Sequence, residues 1–221
     1  MKSFVVAFTI LLASCASIRA PEPFTVDLSS SRCAAGTGEA QFDKALGGIK
    51  KGEIALFYYP DEDAVCLEYR AETINFMQFW SKAGRDSFIS SLEHYKEDFE
   101  QKNLIVNRSL KTRRIYDRVR GYLVWGSLGI LSKPAIANTD YNIGYDFKDK
   151  SPYFTVIQRA AEQKDSSFKM TSSNIMMYFT RAQADCIADL FNQEYLRKLE
   201  VLPNSRSNGV GDFLRDLFNF K

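Results

Sequence analysis

Histidine is almost missing from this chain: His94 is the single one in 221 residues. A hydrolase triad or a zinc site would have to rest on that one imidazole, and no H-E-x-x-H or C-x-x-C spacing accompanies it. With Asp98 one helical turn later, His94 reads as a surface residue. The P-loop, G-x-S-x-G and G-x-G-x-x-G signatures are absent as well, which removes the common nucleotide-binding and serine-hydrolase layouts. An excess of one charge is also lacking. Lys and Arg total 29 against 27 Asp and Glu, so the formal net charge of +2 calls for neither a nucleic acid nor a charged membrane surface as partner. Finally, the N-terminal apolar run covers only residues 4–13, well short of the roughly 20 residues that span a bilayer.

That run does have a meaning. Residues 1–15 read MKSFVVAFTILLASC: a basic Lys2, ten uncharged residues, then small residues and a cysteine. The pattern is that of a signal peptide, to be left out of fold reasoning. Leu12-Ala13-Ser14-Cys15 resembles a bacterial lipobox. The resemblance implies a diacylglyceryl group on the Cys15 thiol, cleavage after residue 14, acylation (palmitate or a similar chain) of the new amine, and a membrane anchor. Each buried methylene is worth about 0.8 kcal/mol, so two or three chains hold durably where one does not. Ala16 rather than aspartate after the cysteine favours the outer over the inner membrane. The other reading of the run is a secreted protein cut after Ala20.

The remaining chemistry is sparse. The acidic groups at "PDED" (60–63) and at Glu93, Glu97, Asp98 and Glu100 fall on a turn and on a solvated helix face, not in a shared cleft. Cys33, Cys66 and Cys186 are an odd number, so pairing is left open. Residues 108–120, "RSLKTRRIYDRVR", hold six basic residues and one acidic, flanked by Tyr116 and Tyr122. They read either as an edge strand guarded by charge or as a basic aromatic face for single-stranded nucleic acid. No catalytic residue, cofactor or metal ligand is assigned, and nucleic acid is not an expected partner.

Hydrophobic periodicity predicts an α+β fold: antiparallel sheet units, each closed by a long helix. Residues 15–38 read as a lipidated tether with a short strand at 24–28, residues 39–202 as the folded domain, and residues 203–221 as a linker and amphipathic helix. A helix is expected over 41–49. Strands are expected at 53–59, 64–80 (bent near Ala71), 114–126, 141–147, 152–158 and 167–179, and helices at 81–102 and 181–200. A shift of 99 residues aligns 68–92 with 167–191 without a gap, placing Ser81 and Thr180 as matching helix N-caps. This suggests an internal duplication, with repeats at 53–102 and 113–200. The C-terminal residues Val210, Phe213, Leu214, Leu217 and Phe218 share one helical face, a docking surface for a protein partner over 210–220 or a face folded back on the core.

The lipobox, "IMMYFTRAQADCIADLF" and "RDSFISSLEHYKEDF" together resemble uncharacterised bacterial lipoproteins of the kind common in spirochaetes, over residues 40–200. No activity comes with the resemblance. The expectation is a lipid-anchored, non-enzymatic binding or structural protein of the cell envelope. Two alternatives stand beside it. One is an enzyme whose site would gather around Asp86 and Asp185. The other is a nucleic-acid binder resembling the PUR/Whirly type at the level of architecture. The aromatics Tyr58, Phe76, Trp80, Tyr122 and Trp125 read as core.

Overall fold

The computed structural model describes residues 24–43, 48–106, 114–127, 134–163, 169–200 and 206–207. Eight strands follow the chain around a closed antiparallel barrel: β1 (Arg32–Asp43), β2 (Ile49–Tyr59), β3 (Ala64–Ala71), β4 (Ile74–Ser81), β5 (Ile115–Ser127), β6 (Ala135–Lys148), β7 (Ser151–Gln158) and β8 (Ile175–Phe179). Helix α1 (Lys82–Glu100) lies between β4 and β5. Helices α2 (Arg181–Phe191) and α3 (Gln193–Glu200) follow β8. A two-residue strand β9 (Arg206–Ser207) pairs with the start of β1.

This corrects the α+β expectation of separate sheet units, each closed by its own long helix. Each strand pairs with its neighbour in the chain, and β8 returns to β1 through Gln41↔Tyr178 and Phe42↔Met177. Both strand-to-helix switches exist, but they feed one barrel. The caps behave as their chemistry requires: Ser81 accepts from the Gly84 amide, and Thr180 with Gln183 forms a full capping box. The stretch 64–80 is a hairpin rather than a bent strand, turning at Glu72 with φ 56°. Of the stretch expected at 167–179, residues 175–179 alone form a strand among the described residues 169–179. The helix expected over 181–200 breaks at Asn192. Its backbone is extended, and its side-chain oxygen accepts from the amides of Glu194 and Tyr195 to start α3.

Two early expectations fail for one reason. The tether does not reach residue 38, because β1 begins at Arg32; and 41–43 belong to β1, not to a helix. The reason lies in the two glycines of "GTGEA" (36–40), which resemble a turn by composition. In the fold they make room for α2 instead: a Cβ at Gly36 would meet Leu190 and one at Gly38 would meet Ile187, and Gly36 has φ 141°. Residues 24–28 are not a strand but lie along the outer wall. Cys15 and the helix expected at 210–220 lie outside the described residues.

The helices plug one end of the barrel and supply part of its core. Trp80 of β4 lies 4.7 Å from Tyr141 of β6, 5.5 Å from Phe191 of α2 and 5.9 Å from Phe88 of α1, measured between ring centroids. Phe88 in turn meets Phe154 and Phe179 edge-on. On the apolar face of α1, Phe88, Leu92 and Tyr95 are buried and Phe99 is partly buried. Inside, Gly121 leaves the space that the Tyr141 ring occupies. Gly121→Ala should therefore force a buried ring aside and cost about 1–3 kcal/mol, read as a lowered denaturation midpoint at unchanged slope.

The two faces of the wall differ. Inward positions are apolar: Ile54, Leu56, Val65, Leu67, Leu123, Ile143 and Val156. Outward positions include Glu53, Arg70, Arg118, Arg120 and Asp140. Beside these charged positions the outer face of β2–β5 carries an apolar patch, Tyr59, Ala64, Cys66, Met77, Phe79 and Val124, closed over by Val26. No helix among the described residues is long and apolar enough to cross a membrane.

Candidate functional site

Three polar centres stand out against the apolar core. The first is inside the barrel, toward the end away from the helices. Tyr69 donates to Gln158 Oε1 at 2.9 Å, while Gln78 Nε2 reaches both Tyr69 Oη and Gln158 Oε1 at 2.8 Å. Gln78 and Gln158 are fully buried, and Gln78 Oε1 has no partner. Burial pushes the Tyr69 phenol well above its ordinary range, so it remains a neutral donor. Phe42 and Phe76 stack on either side of the Tyr69 ring, at 5.2 and 5.5 Å.

Above this cluster lies a cleft of about 470 Å³ lined by Phe42, Asp43, Lys50, Lys51, Arg70 and Glu72. A second cleft of about 210 Å³ shares Phe42, Asp43 and Ala71 and continues to Ile157, Ile175 and Met176. Part of the charge here is already committed. Lys51 pairs with Glu39 at 2.7 Å, and Asp43 accepts from Lys148 at 2.7 Å and from the Tyr178 hydroxyl at 3.1 Å. Lys50 and Arg70, whose Nε donates to the Glu72 carbonyl oxygen at 3.0 Å, remain as cations at the rim, with the Glu72 carboxylate beside them and Phe42 lining the cleft. The arrangement can attract an anion; it does not pair a nucleophile with a base.

The second centre joins the helices to the β2–β3 turn. Arg85 of α1 is fully buried. Its Nη1 donates to the carbonyl oxygens of Asp63 and Trp80 at 2.7 and 3.3 Å, and its Nη2 to Asp63 Oδ1 and Gln193 Oε1 at 2.7 and 2.6 Å. Asp63 sits at φ 44° and also accepts from the Tyr58 hydroxyl. The "PDED" turn is thus a structural anchor.

The third centre is on the outer wall. Arg32, 1% exposed, pairs with Glu68 at 2.5 Å and lies 4.0 Å above the Phe57 ring. Beside it Val26 closes a buried outer cluster of Tyr59, Ala64, Cys66, Met77, Phe79 and Val124. Burial, helped by Glu68, raises the Cys66 thiol well above its normal range.

The residues singled out from sequence distribute as follows. His94 is exposed on α1, its ring 6.2 Å from that of Tyr116. Tyr58, Phe76, Trp80 and Trp125 are core, while Tyr122 is half-buried on the outer wall. Asp86 and Asp185 are not drawn into a shared pocket. They pair with Lys82 at 2.6 Å and Lys96 at 2.5 Å on open helix faces, and neither lines the clefts described above. Cys33, Cys66 and Cys186 are free thiols, the first two buried. In the basic stretch the described arginines all have acceptors: Arg114 binds Asp146, Arg118 binds Asn142 Oδ1 at 2.9 Å and Arg120 binds Asp140 at 2.9 Å. Strand β6 therefore offsets the charge that a nucleic-acid face on β5 would need. Among the described residues no group of three or more His, Cys, Asp or Glu could hold a metal ion. Sequence reasoning missed the Tyr69–Gln78–Gln158 cluster and the Arg85 clamp. Gln78 between Met77 and Phe79, a polar residue in an apolar strand, was the available signal.

The fold places the molecule among closed, eight-stranded antiparallel barrels with a side-chain-filled interior and a helical plug. The chain belongs to the family described as "Uncharacterised Treponema protein", whose model matches residues 10–198, so its affiliation is with spirochaetes. No curated protein and no solved structure matches it.

Proposed function

We propose that this is a lipid-anchored cell-envelope protein, held to the membrane through acyl groups on Cys15, whose barrel is a non-enzymatic binding or structural module. One observation carries the reading: Leu12-Ala13-Ser14-Cys15 directly follows a short apolar run that is too short to span a membrane. Residues 12–15 also fall within the stretch matched by the spirochaete family. The charged outer wall suits a domain standing in water beside its membrane. The interior is filled with side chains, so a ligand or partner would meet the outside of the barrel or the cleft above Phe42 and Tyr69. Ala16 after the cysteine favours the outer membrane.

The test is the intact mass and membrane partition of protein made in its native host, beside Cys15→Ser. The wild type should lose residues 1–14, gain acyl mass and stay with membranes. The variant should do none of these. A wild type that keeps its N-terminus and partitions with soluble protein rejects the anchor.

A further inference from the structure

The segment between the proposed anchor and the barrel does not leave the wall at once. Phe24, Val26 and Leu28 pack against the outer faces of β2–β5, and Val26 is 5% exposed. Yet residues 24–31 form no ladder with any strand. Their hydrogen bond to the barrel is long, from the Asp27 amide to Glu62 Oε1 at 3.4 Å. The remaining hydrogen bonds are internal. Asp27 Oδ1 accepts from the Ser29 amide and hydroxyl at 2.8 and 2.7 Å, and the Ser30 amide donates to the Asp27 carbonyl at 3.1 Å, which turns the chain into β1. Among the described contacts, apolar side chains and this one long hydrogen bond hold the strap, while the barrel beneath it is held by continuous ladders. Such a segment opens before the barrel does.

We propose that residues 24–31 are a releasable strap that sets how far the barrel stands from its membrane. The reach in this proposal rests on the anchor at Cys15. With the strap docked, nine residue-to-residue steps lead from Cys15 to Phe24, a span of at most about 30 Å. With it released, the free chain runs from Cys15 to Arg32, and the limit rises to about 60 Å. Release would also uncover the apolar patch around Tyr59, Cys66, Met77 and Phe79.

The protein carries its own reporters. Cys66 lies in the patch with Val26, Cys33 lies in the barrel's inner core, and both are 0% exposed. Thiol labelling of the full chain with Cys15→Ser and Cys186→Ser leaves these two and tests the strap without the lipid. Cys66 should label well ahead of Cys33. Adding Val26→Asp should speed Cys66 by roughly ten- to hundredfold, the factor that burial of a valine side chain is worth, with Cys33 unchanged. Leu28→Asp should act in the same direction. Equal labelling of Cys66 and Cys33 without the added strap variant would mean that both open only with the barrel, and would overturn the strap. So would a Val26→Asp chain that leaves Cys66 unchanged or speeds both thiols together. On vesicles, the lipidated chain labelled at the exposed Cys186 should move away from headgroup acceptors when Val26→Asp is introduced. No movement there, with thiol release intact, would refute the reach while sparing the strap; loss of acylation alone would refute only the anchor.

Discussion

Arg85→Ala should lower the stability of this protein by about 3–5 kcal/mol, enough to leave a marginal domain largely unfolded. The guanidinium is fully buried and serves four acceptors drawn from three places: the β2–β3 turn at Asp63, the end of β4 at Trp80 and the start of α3 at Gln193. Truncation strands two backbone carbonyl oxygens and an amide oxygen in or near a dry site, and an unpaired buried polar group costs far more than its hydrogen bond contributes. Arg85→Lys should recover only part of the loss, because a compact ammonium cannot reproduce the planar fork that reaches both Asp63 and Gln193. Lys82→Ala, which removes an exposed ion pair with Asp86 one turn away, should cost under about 0.5 kcal/mol. Denaturant unfolding of the three variants at neutral pH decides the matter. Equal midpoints for Arg85→Ala and Lys82→Ala would show that the clamp contributes nothing.

Alkali should unfold the protein early. Tyr59, Tyr69 and Tyr141 are 2%, 5% and 0% exposed, and burial raises each phenol above the unfolded value of 10. The sign follows from proton counting. Above pH 10 the unfolded chain releases phenol protons that the folded chain retains, so the phenols' contribution is complete below 10 and is lost as pH rises. By pH 11 each of the three withdraws about 1.4 kcal/mol, or roughly 4 together, a large share of a typical domain's stability. Denaturation midpoints measured from pH 8 to 11 should fall steadily beyond 10, in step with phenolate absorbance. Tyr141→Phe keeps the ring between Trp80 and Gly121, and should remove one phenol's share of the alkaline loss, about 1.4 kcal/mol at pH 11. A midpoint flat to pH 11 would contradict the burial of these rings.

Much of the barrel wall was legible before the structure, though its closure was not. Strands such as 53–59 and 141–147 announce themselves by β-branched and aromatic residues, and the caps at Ser81 and Thr180 by hydroxyls in the right place. "EIALFYY" has apolar residues on both faces, as an interior strand does. The inner face is indeed core, but the outer residues Phe57 and Tyr59 are covered by residues 24–28 and by Arg32. Closure left almost no trace because, among the described residues, the β1–β8 seam is two residue pairs long. Strand β1 was further disguised by glycines that exist for the sake of Ile187 and Leu190, side chains about 150 positions away in the chain. The Arg85 clamp was hidden for a similar reason: Asp63, Arg85 and Gln193 are brought together by the fold, not by spacing. The basic stretch at 108–120 left an edge strand and a nucleic-acid face both open because the acceptors of Arg114, Arg118 and Arg120, which are Asp146, Asn142 and Asp140, lie on the next strand.

That short seam has a bearing on how the protein comes into being. Seven of the eight junctions in the wall join strands consecutive in the chain, so the sheet can lengthen as each hairpin forms. The last junction joins Gln41 to Tyr178 and cannot form until nearly the whole domain has been made. Until then the nascent sheet is an open curl whose first and latest strands both offer unpaired backbone groups to any other strand within reach. Closing it carries the loop entropy of the entire meander and yields only two residue pairs of ladder, so ring closure leans on α2 packing over β1 and Phe179 entering the core. Birth of this barrel is therefore a race between the arrival of its final helix and capture of its edges by a neighbour.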